Sequence, residues 1–303
     1  MTRYQNNNLL GIGLMLLAML LFSVMDAAAK WLVSNKMSAI QVIAVRSWFI
    51  VAIIPPLLML RGELSELATR KPWQHLLRGM VGVIAPLSFF SALETLPLAD
   101  ATVVFFSATF ILTAASALLL KEHVGIHRWS AVAIGFAGVV IATNPGGGGP
   151  LLSYLLVLCA TTIYALIFIT GKQLSRQDSV ISLVFSLHLG IGIVATAALP
   201  WVWLPIAATA LAQLFLMALI ALVAHYVFAA AFARAEVSAL APFEYSALVW
   251  AVLIGYAVWG DIPALEVWLG AAVIIGCGLY VIRRESLQRK STAPAPDHSD
   301  PLP

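Results

Sequence analysis

The chain has 303 residues, 61% of them hydrophobic and only 10% charged, with a mean hydropathy of +0.96. A soluble domain cannot hide that much apolar surface, because its outside must meet water, so the composition excludes an ordinary water-soluble fold and fits a polytopic helical membrane protein. The net charge of +3 gives no argument for nucleic acid, and Cys159 and Cys277 offer neither a CxxC pair nor a metal-ligand spacing, so no cofactor and no metal are expected.

Apolar stretches of spanning length run over about 9–33, 40–60, 76–95, 98–119 and 128–143. The first of them follows a short polar start and contains an Ala27-x-Ala29 site that a signal peptide would show. Apolar character resumes past that site, so the stretch is read as a true helix. A turn-rich segment, Asn144-Pro145-Gly146-Gly147-Gly148-Gly149-Pro150, interrupts the chain near its midpoint. Apolar stretches then resume over about 151–172, 180–199, 207–232, 237–259 and 264–283. From Arg284 the sequence is polar and Pro-rich and reads as a disordered tail. The expected fold is therefore all-α and integral to the membrane, with ten transmembrane helices, although abutting stretches leave nine or eleven as alternatives. The expected units are a first five-helix repeat over 1–143, a linker over 144–150, a second repeat over 151–283 and a tail over 284–303.

Charge placement supports ten helices. Of the 17 Lys and Arg residues, all but Lys30, Lys36 and Arg46 fall on one side if the chain starts inside. The positive-inside rule then places both termini in the cytoplasm, and the expected location is the inner membrane.

The two halves can be superposed. An offset of 142 lays Lys30 on Lys172, Arg46 on His188 and Phe22 on Tyr164; from the third helix on, an offset of 139 lays Glu122 on Asp261 and Trp129 on Trp268. Because five is odd, the second copy must enter the membrane from the opposite face, an inverted repeat with its binding site expected near the midplane.

These residues resemble the drug/metabolite transporter superfamily, specifically ten-helix EamA-type carriers with two EamA units. The resemblance covers about 9–283. It is carried by Ser116 to Glu122 with Trp129, Gly135 and Gly138, and by Gly255 to Asp261 with Trp268, Gly270, Gly276 and Gly278. Asp261 departs from the family's usual Glu, and Pro242 has no partner early in the fourth helix. Met25 to Lys30 with Arg46 is similar to a branch that includes S-adenosylmethionine carriers. The resemblance implies a secondary transporter moving a small polar or amphipathic metabolite (an amino acid, an amino-acid derivative or a nucleoside-containing metabolite) by alternating access.

An ionisable side chain at the centre of a membrane span costs about 2.5–3.5 kcal/mol, so such residues usually face a partner or a wet cavity. Asp26 and Lys30, four apart on helix 1, share a face, and with Arg46 they form an expected charged cluster in the outer half. It is either an external gate, a grip on a zwitterionic substrate or merely a tie between helices. His188, His225 and Glu244, the last beside Tyr245 and near Trp250, are candidates in the inner half. Tyr164, Phe22, Phe89, Phe90, Phe105 and Phe106 are candidate cavity walls. Glu122 and Asp261 are expected to cap or pair at the membrane surface.

The expected partners are a metabolite and membrane lipid, with a homodimer left open. The other readings are a non-transporting membrane partner or regulator and, last, an intramembrane enzyme. The sequence contains no H-E-x-x-H, no G-x-S-x-G and no phosphate-binding P-loop.

Overall fold

The computed structural model describes residues 8–119, 125–147, 150–175, 177–235 and 237–291. Expectations for Arg3, Lys121, Glu122, Arg176, Gly148, Gly149 and residues 292–303 lie outside the described residues. Among the described residues, ten helices are long and apolar enough to cross a membrane: α1 (Asn8–Ser34), α2 (Ala39–Arg61), α3 (Pro72–Leu93), α4 (Leu98–Leu119), α5 (Ile126–Thr143), α6 (Leu151–Leu174), α7 (Val180–Val202), α8 (Ala208–Phe232), α9 (Ala239–Trp259) and α10 (Leu265–Arg284). The helix containing α10 continues to Ser291, past the point where a disordered tail was expected to begin. Lipid forces the backbone to satisfy itself, which is why the apolar runs read from sequence become helices with so little shift at their ends.

Three of the ten are broken near their middles. The α3 helix divides at Val83, between Pro72–Gly82 and Ile84–Leu93. Pro86 explains this, since it lacks the N–H that would bond the Gly82 carbonyl. The α4 helix divides at Phe106-Ser107, where Ser107 N–H bonds back only three residues to Val104, and α9 divides at Tyr245. Pro242 disturbs the turn before Tyr245. In α4 no proline is available, and the Thr102 hydroxyl bonds instead to the Leu98 carbonyl, a contact that bends helices. At the offset of 139 Phe106 superposes on Tyr245, so the two breaks are repeat counterparts.

The packing has a matching two-fold character. Helix α1 packs on α8 and α9, and α6 packs on α3 and α4; α2 packs on α8, and α7 on α3; α2 pairs with α7, and α5 with α10. Exchanging α1–α5 with α6–α10 maps this list onto itself. The result is two interlocked groups, α1–α2–α8–α9 and α3–α4–α6–α7, each drawing helices from both halves of the chain. Close approach is set by small residues: a Cβ added at Gly79 of α3 would come within 2.7 Å of the Gly190 backbone on α7.

The face where α1 begins is called the N-side here, and the opposite face the far side. In the far half, one continuous core joins residues from all ten helices, among them Val42, Phe90, Leu93, Val104, Val139, Val157, Ala195, Met217, Leu248 and Ile274. In the N-side half the core divides. Met15, Met19, Val227 and Leu240 join α1, α8 and α9 in one cluster, while Ile50, Ile54 and Ala218 join α2 and α8 in another. The far half of α1 also packs on the second half of α3, and the second half of α9 on the first half of α4. Their N-side counterparts, α6 with α8 and the second half of α4 with the first half of α9, form no comparable packing among the described residues. The seam between the groups is shut on the far side and parted on the N-side.

Candidate functional site

Several of the residues that the sequence singled out are joined by ring and side-chain contacts near the level of the helix breaks. From α1, Phe22 meets His225 of α8 edge-on at 5.1 Å between ring centroids. Arg46 of α2 lies over the Phe90 ring of α3 at 5.3 Å, and its Nη1 is 3.7 Å from Met25 Sδ. Phe89 follows Phe90, then Phe105 at 5.4 Å from Phe89, then Tyr164 at 5.3 Å from Phe105. The two helix breaks meet across the seam, with Phe106 against Tyr245 at 5.0 Å. Gly278 on α10 leaves the space that the Tyr245 ring fills.

The charged groups sit along this belt. Asp26 and Arg46 lie within electrostatic reach of each other, as do Arg46 and the two histidines, His188 and His225, and Glu244 with Tyr164 and Tyr245. Each histidine donates Nδ1–H to the carbonyl one turn earlier, His188 to Val184 at 3.0 Å and His225 to Ala221 at 2.7 Å, so Nε2 is the atom each has left to offer. The Arg46 Nε and Trp250 Nε1 donors are buried with no partner among the described residues. A buried donor left unmade costs about 1–3 kcal/mol, and a ligand or water that accepts from it recovers that cost.

His225 and Tyr164 both carry exposed surface, and each packs against a neighbouring ring, His225 against Phe22 and Tyr164 against Phe105. The contrast is Tyr226, next to His225, which is 71% exposed on the outer surface of α8.

Lys30 leaves the cluster in which the sequence grouped it. Its ammonium pairs with Asp261 at 2.8 Å and bonds the Leu96 carbonyl at 3.0 Å, whereas Asp26 turns toward Arg46. The one-face argument was sound for the helix, but Asp261 competes better for the ammonium because Gly260 brings it there. Gly260 ends α9 in the left-handed conformation (φ +71°), so the chain reverses and places Asp261 over the end of α1. Asp261 is thus a pairing residue, as expected of it. Asp100 and Tyr154 were missed: Tyr154 O–H donates to Asp100 Oδ2 at 3.2 Å in the same region, and Asp100 faces both Lys30 and Asp261. The only signal for them was an acid in the first turn of α4, which reads as a helix-start residue.

A second unexpected cluster lies on the N-side. The Thr69 hydroxyl donates to Asp178 Oδ2 at 2.6 Å, the Arg70 amide to Oδ1 at 3.1 Å, and His75 Nε2 lies 2.7 Å from Oδ2. These bonds, led by that from Thr69, hold the Asp178 carboxyl below the ordinary carboxylate range against the opposing effect of burial. Ser179 and Ser182 extend the clamp to the Glu66 and Leu67 carbonyls. On the far side, Gln41 exchanges bonds with the Leu204 backbone at 2.6 and 3.4 Å. Each clamp ties the connection after one helix of the α2–α7 pair to the start of the other helix of that pair.

The comparisons with known proteins agree with this architecture. The EamA-like transporter family matches residues 9–144. A riboflavin transporter of Vibrio cholerae is 30% identical over 275 residues, covering 90% of this chain and 92% of the relative. An S-adenosylmethionine uptake transporter of Rickettsia bellii is 26% identical over 276 residues, covering 91% and 94%. A riboflavin transporter of Rhizobium johnstonii is 28% identical over 286 residues, covering 92% and 93%. A solved crystal structure 19% identical aligns with a TM-score of 0.62 over 94% of this chain and 98% of its own, a likeness of fold alone. With relatives of this identity spanning nearly its whole length, the chain belongs to the EamA-like transporter family of the drug/metabolite transporters: it is an integral membrane transporter of metabolites, not an enzyme.

Proposed function

We propose that this protein is an alternating-access carrier for a small amphipathic metabolite with a flat ring and a charged chain, held between its two helix groups near the midplane. The observation that carries this reading is the run of contacts from Arg46 through Phe90, Phe89 and Phe105 to Tyr164, with Asp26, His188 and His225 within electrostatic reach of Arg46 and Glu244 within that of Tyr164. The rings offer a slot for a planar group. Arg46, with a donor to spare, suits a carboxylate or another acceptor, and Asp26 and Glu244 suit a cationic centre. S-adenosylmethionine and riboflavin, named for the relatives, both join a flat heteroaromatic ring to a polar chain.

The two halves of the chain, 1–143 and 151–283, act as inverted repeats whose helices interlock into the moving groups. The one-sided basic residues support an N-side in the cytoplasm, and on that reading the parted side of the seam opens inward in this conformation. Purified protein in detergent, heated against a panel of amino acids, nucleosides and their conjugates, tests the site. A binder at about 100 times its Kd raises apparent stability by about 2.7 kcal/mol. That binder should then drive counterflow in proteoliposomes. A panel in which no nucleoside-like or amino-acid-like compound shifts the transition, with no counterflow, would contradict the proposal.

A further inference from the structure

The closed far side is fastened at Lys30. Its buried ammonium donates to Asp261 Oδ2 at 2.8 Å and to the Leu96 carbonyl at 3.0 Å, and it stands 4.7 Å from the centre of the Trp259 ring. Lys30 and Trp259 belong to the α1–α2–α8–α9 group, and Asp261 follows directly after α9. Leu96 lies in the α3–α4 turn of the other group. The ion pair therefore lies on one side of the seam, and the bond to Leu96 crosses it.

That division suits a gate. A buried charge compensated on its own side can leave a neutral carbonyl across the seam without becoming an unpaired ion. Opening then costs one hydrogen bond rather than the separation of an ion pair. Asp261 keeps 27% of its side-chain surface exposed, so the pair sits at a rim that water reaches.

The repeat supplies a counterpart for both partners. At 142, Lys30 superposes on Lys172; at 139, Leu96 superposes on Ala235. Lys172 is at the N-side end of α6, in one group, and is exposed. Ala235 is in the turn between α8 and α9, in the other group, and it packs on α1 at Gly11. The pair is thus fastened at the closed end, and at the open end no bond joins its counterparts among the described residues.

We propose that Lys30 and Lys172 are reciprocal bolts: Lys30 on the Leu96 carbonyl holds the far side shut, and Lys172 on the Ala235 carbonyl holds the N-side shut in the opposite conformation. This rests on the alternating-access reading above. Spin labels on a Cys159→Ala, Cys277→Ala background test it by pulsed electron resonance in nanodiscs. One pair, Asn35→Cys with Glu94→Cys, spans the far side; the other, Gln173→Cys with Ala233→Cys, spans the N-side; all four positions are exposed.

Lys30→Met should raise the long-distance fraction of the far-side pair about tenfold or more, the worth of one hydrogen bond from a charged group. Lys30→Arg should keep that distance short. Lys172→Met should lower the short-distance fraction of the N-side pair by a similar factor and leave the far side closed. A folded Lys30→Met protein with an unchanged far-side distribution overturns the bolts, as does a far side opened equally by Lys172→Met. If a second distance population exists but ignores both lysines, the bolts fail while alternating access stands. If neither end ever shows a second population in the parent or the variants, both proposals fail.

Discussion

The two ends of this molecule are built from superposable sequence and yet are packed differently. On the far side the ten helices share one core, Lys30 is buried, and the groups meet through α1 with α3 and α4 with α9. On the N-side the core is divided, Lys172 is exposed, and the mirror-related contacts are missing among the described residues. Positions that the two offsets bring together, Lys30 with Lys172 among them, therefore sit in two different arrangements. Such a difference between equivalent ends is what a bistable seam requires, since packed interfaces switch rather than deform.

The most disruptive way to break the contrast is to remove the counterion of the bolt. Asp261→Ala should lower stability by about 3 kcal/mol, because it strands the buried Lys30 ammonium. The Lys30→Met, Asp261→Leu double variant should recover most of that loss, as measured by thermal unfolding in detergent. A double variant no more stable than Asp261→Ala would show that the two residues do not act as a pair.

Next in size is the N-side clamp. Asp178→Asn should cost about 2 kcal/mol, the worth of hydrogen bonds to a buried charged acceptor. Because the folded state holds this carboxyl below its ordinary value, its contribution is complete above about pH 4 and fades as the pH falls through the folded value. The parent should therefore lose stability more steeply on acidification than Asp178→Asn, which a pair of pH titrations of the melting temperature checks.

At the cavity, Arg46→Met should weaken binding of the metabolite by about 30-fold, equivalent to ~2 kcal/mol, with little effect on the melting temperature without ligand. Tyr164→Leu should have the smallest effect, about 0.5–1.5 kcal/mol of binding for a lost aromatic contact, read by the same ligand-dependent shift. An equal loss from substitutions at Tyr164 and at the lipid-facing Tyr226 would remove the distinction between wall and surface.

Sequence reasoning reached the helices because lipid leaves the backbone one solution, and hydropathy reports it directly. The breaks at Val83 and Tyr245 were also within reach, since Pro86 and Pro242 stand three residues from them, but the break at Phe106 has no proline, and the Thr102 hydroxyl bond beside it is not a pattern that sequence spacing encodes. In the candidate site, Arg46, His188, His225 and Tyr164 were legible as costly or aromatic residues in apolar surroundings, and ring contacts through Phe90, Phe89 and Phe105 link Arg46 to Tyr164. The partner of Lys30 was not legible by spacing. Asp26 was the near choice along the helix, whereas Asp261 is distant in sequence and arrives through the Gly260 turn. The repeat register held the clue, because it aligned the lysines with each other and Asp261 with an acid. Asp178 and His75 gave no signal at all, as each is an ordinary residue near an N-side helix end until the other is placed beside it.

The most direct test of the two-ended difference is sidedness of access to the cavity. Tyr164→Cys, on the Cys159→Ala, Cys277→Ala background, can be labelled with a membrane-impermeant thiol reagent in vesicles of each orientation. The protein should react from the N-side and stay protected from the far side, with Lys30→Met opening far-side access. Labelling from both faces alike, or from the far side alone, would contradict a seam closed at Lys30 and open at Lys172.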